Sequence, residues 1–512
     1  MTKQGYLGID AGTQGLSVVF TDAQLNVVAT GVGDYAMLPE LEEGSYEQNP
    51  KDWLTALKTA MADLSAQLGE VPDVLSIGVS GQMHGEVLTN EHGDPLGPAR
   101  LWCDSRNADE ERELTEALGV KMPKRMTAVR WLWTTRHQPE KARQAKHLIT
   151  PAGWLAFQLT GEWNLGIGDA AGMFPVDQAT LDFDQALLSQ YQAMVGDEFP
   201  ALAELLPTIK KAGESSGCLN EKGAELMGLA KSTPVAAAEG DQPAALAGSL
   251  IGQAGMVSVS FGTSVCANSV GDRAFQGVSH AIDHFCAPDG KPINMVFLRN
   301  GTTFMNCVVE MFASGTKDGS TTAFGTVMPL VLEADADCGG LLALPFMDDE
   351  PGLGVARGGT AMLVGMNQDN ANAGNAVKAA LLSTMFNLRQ GSEVLDHQGY
   401  PRTELVLTGG LTLTPELGQI LADVFDAPVK LFESADEGTG WGAAVLAKYR
   451  HRCMKESSLS WEDFLATIES GKTVRFEPRA DQHAQYKQAY HRYQSLLQMH
   501  SGLDQALQDQ RD

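Results

Sequence analysis

A short motif occurs twice in this chain, and only its first copy carries an acid. The first copy runs from Tyr6 to Gly15 and includes Asp10, whereas the second runs from Met256 to Val265 and has Ser260 at the aligned position. Each copy has an apolar run, a Gly-Thr pair and a second apolar run, which is typical of two strands joined by a tight turn. Because the copies lie about half the chain apart, the repeat predicts two related α/β lobes that hold one ligand between them.

The two Gly-Thr turns are candidate phosphate-binding sites. A tight turn directs backbone N–H groups and a hydroxyl into one concavity, and such nests bind phosphate oxygens. Neither turn contains Lys or Arg, so a bound triphosphate would also need a metal ion, and Asp10 is placed to hold Mg²⁺ through the water ligands of that ion. The turn residues predicted to contact ATP are Thr13, Gln14, Gly262 and Thr263. The alternative is that both segments are ordinary β-hairpins.

The overall composition argues against several classes of function. The 512 residues include 37 Lys and Arg against 64 Asp and Glu, a net charge of −27, and an acidic surface repels a nucleic-acid backbone. The seven cysteines are odd in number and form no Cys-x-x-Cys pair, so we expect no disulfide framework, no zinc site and a cytoplasmic location. The chain shows no secretory leader before Tyr6 and no run of about 18 apolar residues, so neither a signal peptide nor a membrane span is expected.

Asp241 is the candidate catalytic base. It follows a predicted strand over 235–238 and precedes a predicted helix that starts at Ala244, just before the second copy of the motif. A carboxylate in that place can take the proton from a hydroxyl that attacks the γ-phosphate. The alternative is that Asp241 caps the helix. The chain has neither a P-loop nor a His-Arg-Asp catalytic loop, so a phosphotransferase built on it would use neither machinery.

Two loops offer the groups that a polyhydroxy substrate needs. Ser80–Gly85 ends a predicted strand with an amide, a thioether and an imidazole, and Trp102–Arg106 adds an indole, a carboxylate and a guanidinium. Together they can supply several hydrogen bonds and one apolar wall to a polyol or ketose. The alternatives are that His84 is a satisfied, partly buried histidine and that Asp104 and Arg106 form a local ion pair.

These motifs, in this order, resemble those of the FGGY carbohydrate kinases over nearly the whole chain, and within that family they look most like the xylulokinases. The segments that carry the resemblance are Gly8–Gly15, Ser80–Gly85, Leu101–Arg106, Thr160–Glu162, Asp169–Gly172, Gly240–Gln242, Ser260–Ser264 and Thr408–Gly410. Gln242 is the residue found at this position in glycerol kinases, whereas many xylulokinases have Asn.

The resemblance implies an α/β fold of two actin-like, ribonuclease H-like domains, as in the actin, Hsp70 and sugar kinase superfamily. It places an N-terminal domain over residues 1–245, a C-terminal domain over 246–455 and a helical extension over 456–512. It also implies an enzyme that binds ATP, Mg²⁺ and a small sugar, with no nucleic-acid or membrane partner and with a homodimer left open.

The implied reaction is phosphorylation of a ketose at its terminal hydroxyl, with ATP as donor and D-xylulose as the first candidate substrate. In that reaction Asp241 is the base and Asp10 is catalytic through the Mg²⁺ that it holds. The residues that the resemblance assigns to the sugar are Met83, His84, Trp102, Asp104 and Gln242, and those assigned to adenosine are Gly409 and Gly410.

The chain also departs from the family pattern. Leu411 and Thr412 replace the usual end of the adenosine motif, which puts bulk beside the predicted adenine site. Residues 299–360 match the family poorly, so no site residue is predicted within 299–400. Two alternatives stay open: a kinase of the same family for sedoheptulose, ribulose or an alditol, and a non-catalytic nucleotide switch or sugar sensor of the actin or Hsp70 type.

Overall fold

The computed structural model describes residues 4–313, 323–432, 438–469 and 473–508. The strands of the N-terminal half are β1 (Gln4–Ala11), β2 (Gly15–Asp22), β3 (Val27–Asp34), β4 (Glu47–Gln48), β5 (Asp73–Gly81), β6 (Val87–Thr89), β7 (Ala99–Arg100), β8 (His147–Ile149), β9 (Asn164–Gly166), β10 (Val176–Asp177), β11 (Asp182–Phe183), β12 (Thr208–Lys210), β13 (Ser215–Cys218), β14 (Pro234–Ala236) and β15 (Glu239–Gly240). The helices of this half are α1 (Pro50–Leu68), α2 (Ala108–Leu118), α3 (Thr127–His137), α4 (Pro139–Gln144), α5 (Pro151–Thr160), α6 (Ile167–Ala170), α7 (Gln185–Val195), α8 (Leu202–Leu205), α9 (Glu221–Met227) and α10 (Asp241–Gly248).

The C-terminal half contains its own strands and helices. The strands are β16 (Met256–Phe261), β17 (Val265–Val270), β18 (Ile282–Cys286), β19 (Pro292–Leu298), β20 (Leu342–Leu344), β21 (Met362–Val364), β22 (Glu404–Gly409), β23 (Val429–Phe432) and β24 (Thr473–Phe476). The helices are α11 (Thr303–Ala313), α12 (Ala323–Glu333), α13 (Ala373–His397), α14 (Leu417–Phe425), α15 (Gly438–Cys453), α16 (Trp461–Ala466) and α17 (Ala480–Gln508).

A mixed sheet forms the centre of the first lobe, with the strand order β13-β14-β5-β1-β2-β3 and with β15 added beside β5. The parallel strands β1 and β5 consist mainly of small and apolar residues, because helices cover both faces of the sheet and bury these strands almost completely. Their register places Asp10 opposite Ser80 on β5 and opposite Ser17 on the antiparallel strand β2.

The second lobe repeats this arrangement in a sheet with the order β18-β19-β17-β16-β22-β23-β24. Strand β16 is antiparallel to β17 and parallel to β22, as β1 is antiparallel to β2 and parallel to β5. Ser260 lies opposite Thr408 on β22, just as Asp10 lies opposite Ser80. The two motif copies therefore occupy equivalent places in two related sheets, and the predicted two-lobed α/β fold is confirmed.

Helix α1 shows how local sequence determines an element of the first lobe. The side chain of Asn49 caps its first turn by accepting a hydrogen bond from the backbone N–H of Lys51, and Pro50 occupies the first helical position. The apolar side chains of Trp53 and Leu57 recur at helical spacing, are fully buried and pack among the side chains of the first sheet. The helix ends at Gly69 in the left-handed conformation, which glycine adopts without steric cost.

Helix α15 joins the two lobes. It follows β23 of the second sheet in the chain but packs directly on β1 and β5 of the first. A Cβ atom on Gly8 would lie 1.9 Å from the carbonyl oxygen of Gly440, and one on Gly78 would lie 1.9 Å from that of Ala443. No side chain fits at such a distance, so the glycines of β1 and β5 are what allow the helix to approach the sheet.

Residues 456–512 contribute to both lobes in the described part of this segment. Trp461 and Phe464 of α16 pack with Tyr449 of α15 beside the first sheet. Strand β24 instead pairs with β23 at the edge of the second sheet, and α17 packs its tyrosines into the second core. The domain bounds near 245 and 455 remain predictions.

Within the described ranges, no helix has the length and apolar character that a membrane span requires. All seven cysteines are free.

Candidate active site

The ends of three neighbouring parallel strands bring the predicted acids together. On β1, β5 and β15, Asp10, Ser80 and Glu239 stand in one row across the sheet. Gly240 occupies the next row and Asp241 follows it as the first residue of α10. Ligands of open α/β sheets bind at the carboxyl ends of such strands, so this edge is the candidate active site.

Asp10 keeps one carboxylate oxygen without a partner. Its Oδ2 accepts a hydrogen bond from the hydroxyl of Thr439, whereas its buried Oδ1 has no hydrogen-bond partner among the described residues. Burial raises the pKa of Asp10, and the hydroxyls of Thr439 and Ser80 oppose that shift. Thr439 was not predicted as a site residue, and its only local signal is its place in the glycine-rich start of α15.

The surroundings of Asp10 fit a hydrated Mg²⁺ ion. An unpaired carboxylate oxygen is a hard ligand of the kind that Mg²⁺ prefers, and this ion usually keeps several waters while it bridges a protein carboxylate and substrate phosphates. The described residues contain no group of three or more His, Cys, Asp or Glu side chains that could enclose a metal. Asp10 is the residue that would hold this ion.

Asp241 lies close enough to Asp10 for the two charges to interact. Burial raises the pKa of Asp241 to about 7, and repulsion from Asp10 contributes to the shift. Its Oδ1 accepts a hydrogen bond of 2.8 Å from the backbone N–H of Gln242. Gly240, not Asp241, is the N-cap of α10, so capping of that helix does not account for this carboxylate.

The first Gly-Thr turn is held by side chains from outside the motif. Gly12 donates its N–H to the carbonyl of Gly15 at 2.9 Å, and the hydroxyl of Tyr35 is shared between the carbonyls of Gly12 and Gly15. The amide of Gln48 donates to the carbonyl of Thr13 at 2.7 Å. Gln14 is exposed at the tip of the turn. The turn is thus preorganised before any ligand binds.

The second turn is held by the start of α11. Gly301 donates its N–H to the carbonyl of Thr263 at 2.9 Å, and Thr302 donates to that of Gly262 at 2.8 Å. A Cβ atom on Gly301 would lie 2.4 Å from the carbonyl oxygen of Gly262, so only glycine allows this approach. Gly262 and Thr263 remain exposed. The supporting pair Gly301 and Thr302 lies within 299–400, where no site residue was predicted.

The candidate adenosine motif follows β22. Gly409 lies opposite Phe261 in the sheet and has a φ of 78°, and a Cβ atom there would lie 2.9 Å from the hydroxyl oxygen of Ser260. Gly409 and Gly410 are both exposed. Leu411 has only 3% of its surface exposed and packs in the second core, so its bulk is directed into the lobe.

His84 and Met83 form a buried wall beside the acids. The Nδ1 of His84 lies 3.0 Å from the carbonyl oxygen of Gly172; a carbonyl only accepts, so Nδ1 carries the hydrogen and Nε2 is left as an acceptor. Burial and the nearby charge of Arg125 lower the pKa of His84 to about 3, so the ring is neutral. A Cβ atom on Gly240 would lie 2.1 Å from the Cγ of Met83, which shows how closely Met83 packs beneath the residue that precedes Asp241.

The second lobe closes over this wall. The ring of Phe285 on β18 lies 5.5 Å from that of His84. Beside it, the carboxylate of Asp283 pairs with Lys121 at 2.6 Å and with Arg125, both from the first lobe. The site around His84 is therefore built from both lobes.

The remaining sugar candidates differ in what they contact. Trp102 is 44% exposed, and its indole N–H donates to the hydroxyl of Thr13 at 3.1 Å, so it lies beside the first turn. The amide oxygen of Gln242 accepts a hydrogen bond of 3.2 Å from Asn268 of the second lobe. Gln242 and Trp102 thus lie within the cleft region that the acids define.

Asp104 is engaged inside the first lobe. Its side chain is fully buried, and both carboxylate oxygens accept hydrogen bonds from Arg106, while Oδ1 also accepts one of 3.0 Å from Arg100. The guanidinium of Arg106 and the charge of Arg100 hold the pKa of Asp104 at about 2, against the effect of burial. The local ion pair considered as the alternative is present, and the assignment of Asp104 to the sugar stays a prediction.

Two further acids near the base were not predicted. Asp169 and Glu239 are fully buried, and Glu239 Oε2 accepts a hydrogen bond of 2.9 Å from the backbone N–H of Asp169. Burial raises the pKa of Asp169 to about 8, and the charge of Asp241 contributes. The hydroxyl of Thr150 donates to Asp169 Oδ2 at 2.5 Å, while Oδ1 has no partner among the described residues. The sequence signal that could have indicated these acids is the position of Glu239 directly before Gly240 and Asp241.

Comparison with known proteins agrees with this geometry. The FGGY family of carbohydrate kinases is matched by its N-terminal domain over residues 5–248 and by its C-terminal domain over 257–451. The chain is similar to a xylulose kinase of Haemophilus influenzae, with 25% identity over 96% of this chain and 99% of that protein. Among solved structures, it is similar in fold to a xylulose kinase from Rhodospirillum rubrum (20% identity, TM-score 0.81, 97% and 99% coverage) and to a gluconate kinase from Lactobacillus acidophilus (19%, 0.81, 96% and 97%).

Proposed function

This chain belongs to the FGGY family of carbohydrate kinases, and from that premise we propose that it transfers the γ-phosphoryl group of ATP to the terminal hydroxyl of D-xylulose. The family membership makes it a sugar kinase with ATP as a substrate. The choice of D-xylulose is supported by the Ser80–Gly85 and Leu101–Arg106 motifs and by the xylulose kinase relative. Structural similarity does not select the sugar, because a gluconate kinase has the same fold.

The observation that carries the proposal is the position of Asp241 at the strand ends, beside Asp10 and the neutral, buried His84. In the proposed reaction Asp241 accepts the proton of the terminal hydroxyl as that oxygen attacks the γ-phosphorus. A base is most effective when its pKa lies near the working pH, and burial places that of Asp241 at about 7. The bond between the γ-phosphorus and the bridging oxygen of ADP breaks as the new P–O bond forms.

The two turns are proposed to bind the phosphates. The backbone N–H groups and hydroxyls of Thr13 and Thr263 would contact the β- and γ-phosphates, since neither turn offers a cation. Mg²⁺, when bound, would neutralise the phosphate charge, and Asp10 would hold it. Gly409 and Gly410 leave the backbone open for the approach of adenosine because they lack side chains.

The sugar is proposed to lie against Met83 and His84, with Trp102 and Gln242 beside it. Nε2 of His84 would accept a hydrogen bond from a sugar hydroxyl, since Nδ1 is committed to Gly172. Met83 would supply the apolar wall. Closure of the second lobe through Phe285 would exclude water, which otherwise competes with the sugar for the γ-phosphate.

A panel of sugars tests the proposal. ADP release from ATP and Mg²⁺ would be measured with D-xylulose, D-ribulose, sedoheptulose, gluconate and several alditols, each over a range of concentrations. We expect the highest kcat/KM with D-xylulose. A higher value with another sugar would reassign the substrate within the family, and ATP binding without turnover on any sugar would favour the non-catalytic switch.

A further inference from the structure

Arg130, on α3, is a buried cation that forms no ion pair among the described residues. Its side chain has no exposed surface, and no carboxylate of the described chain lies within salt-bridge distance of it. Burial and the charge of Arg100 lower its pKa to about 9, so it stays protonated at neutral pH. A buried charge is costly unless it is paired or fully hydrogen-bonded, so its surroundings must supply that compensation.

Backbone carbonyls compensate the buried charge of Arg130. A guanidinium has five N–H donors. Each of the five donors of Arg130 has a carbonyl acceptor: Nε donates to Leu101 at 3.0 Å, Nη1 to His84 at 3.2 Å and to Arg125, and Nη2 to Trp102 at 2.7 Å and to Asp104 at 3.5 Å. The hydrogen-bonding capacity of the side chain is therefore fully used, and only on the main chain.

The five carbonyls come from the segments that surround the proposed sugar site. His84 belongs to the loop after β5, and Leu101, Trp102 and Asp104 belong to the loop after β7. Arg125 leads into α3, and its side chain pairs with Asp283 of the second lobe. Arg130 thus ties two separate loops, and a segment that contacts the other lobe, to one rigid group.

One of these contacts holds a strained residue. His84 has a φ of 65°, in the left-handed region that a residue with a Cβ atom rarely adopts. Its carbonyl is bound by Arg130 and its ring by Gly172, so the conformation is secured from both sides. Strain of this kind persists only where neighbouring contacts enforce it.

We propose that Arg130 is a positioning residue for sugar binding, which sets His84 and Trp102 in place through their backbone carbonyls without touching the sugar. This proposal rests on the proposed function of the same site. It requires arginine in particular, because lysine has only three donors for the five carbonyls and lacks the planar guanidinium that reaches all of them.

Steady-state kinetics of Arg130→Lys and Arg130→Met test the proposal, with Arg136→Met as the matched control. Arg136 lies on the same helix, is partly exposed and pairs with Glu113 at 2.8 Å, so its loss leaves the two loops untouched. With the best sugar of the panel, Arg130→Lys is expected to raise the sugar KM by about ten- to a hundredfold, while the ATP KM changes by less than about twofold. Arg136→Met is expected to keep both values.

A double variant checks the route of the effect. If Arg130 acts through His84, then Arg130→Lys raises the sugar KM much less in a His84→Ala background than in the wild type. If Arg130→Lys raises the sugar KM by the same factor in the His84→Ala background as in the wild type, the proposal is overturned. A wild-type sugar KM in Arg130→Lys would also overturn it, as would equal increases of the sugar and ATP KM together with a lowered unfolding temperature, which indicate general damage.

The conformation of His84 gives a readout that needs no activity. In a crystal structure of Arg130→Lys we expect His84 to leave the left-handed region or Trp102 to shift, and a loop identical to that of the wild type would overturn the proposal even if Arg130→Met does not fold. Turnover by the wild type on a sugar other than a ketose would instead overturn the substrate assignment, and the Arg130 comparison is then made with that sugar.

Discussion

The hydroxyl of Thr439 donates a hydrogen bond to Oδ2 of Asp10, although the two residues lie 429 positions apart in the chain. Asp10 lies one residue before the end of β1, and Thr439 is the second residue of α15, which follows β23 of the second sheet. The contact joins the acid of the first motif copy to the helix that connects the lobes, and it leaves Oδ1 as the carboxylate oxygen without a hydrogen-bond partner in the described part of the chain.

Replacing Thr439 with Val is expected to impair the use of Mg²⁺. The variant keeps the shape of the side chain but leaves Oδ2 of Asp10 without its donor, and an unsatisfied buried group costs about 1–3 kcal/mol. We expect the Mg²⁺ concentration for half-maximal activity to rise about tenfold while the sugar KM stays within about twofold. Thr439→Ser keeps the hydroxyl and should behave as the wild type. An unaltered Mg²⁺ titration of Thr439→Val would contradict this role.

Replacing Asp241 with Asn is expected to abolish phosphoryl transfer. Asn has nearly the same shape but cannot accept the hydroxyl proton, and loss of a general base lowers kcat by about 10²–10⁴. ATP binding and the unfolding temperature should stay close to those of the wild type, measured by calorimetry and by thermal denaturation. Sugar-dependent turnover near the wild-type rate would remove Asp241 from the role of base.

The pH dependence of the wild type gives an independent test of Asp241. Only the ionised carboxylate can accept a proton, and burial raises its pKa to about 7. The value of kcat/KM for the sugar should therefore rise about tenfold per pH unit below pH 7 and level off above it. The residual kcat/KM of Asp241→Asn should not show this rise with pH. A flat profile between pH 5 and 8 would show a carboxylate with an ordinary pKa.

Replacing His84 with Ala is expected to weaken sugar binding. The neutral ring offers Nε2 as an acceptor, and the loss of one buried hydrogen bond raises the sugar KM by roughly one to two decades. The ATP KM should not change. His84→Asn is the informative control, since Asn tolerates the left-handed backbone and keeps a hydrogen-bonding group, so its effect should be smaller. Equal sugar KM values for the wild type and His84→Ala would place His84 outside the sugar site.

Replacing Asp169 with Asn is expected to change how stability depends on pH. Burial raises the pKa of Asp169 to about 8 in the folded protein, whereas an unfolded Asp loses its proton near pH 4. The folded state therefore binds the extra proton between about pH 4 and 8, so the stability that this proton provides is complete below pH 4 and is lost as pH rises through 8, at up to about 1.4 kcal/mol per pH unit.

Asn cannot ionise, so Asp169→Asn should lose less stability than the wild type between pH 5.5 and 8. Thermal unfolding temperatures of both proteins across this range provide the measurement. Asp109→Asn is the control, because the carboxylate of Asp109 is exposed on α2 and pairs with Arg112 across one helical turn. Identical pH slopes for Asp169→Asn and the wild type would show that Asp169 is ionised in the folded protein.

The motifs predicted the fold, but they did not predict the partners of each side chain. Asp10 and Ser260 lie in equivalent registers as the repeat indicated, because strand and turn formation depends on residues close in sequence. The local motif of Asp104 did not show that its carboxylate contacts both Arg100 and Arg106. Whether these two cations reach the carboxylate depends on how β7 packs, and that is a tertiary property.

The sequence by itself determined the two lobes, the repeated turns and the membership of a kinase family, because apolar periodicity, glycine turns and motif order are local properties of the chain. Only the tertiary structure decided which polar groups are satisfied and which remain available: Thr439 reaches Asp10 across 429 positions, and Arg130 gathers carbonyls from separate loops. The physical reason is that the energy of a charge or a polar group depends on its burial and on its spatial neighbours. In this fold those neighbours come from distant parts of the chain and from both lobes.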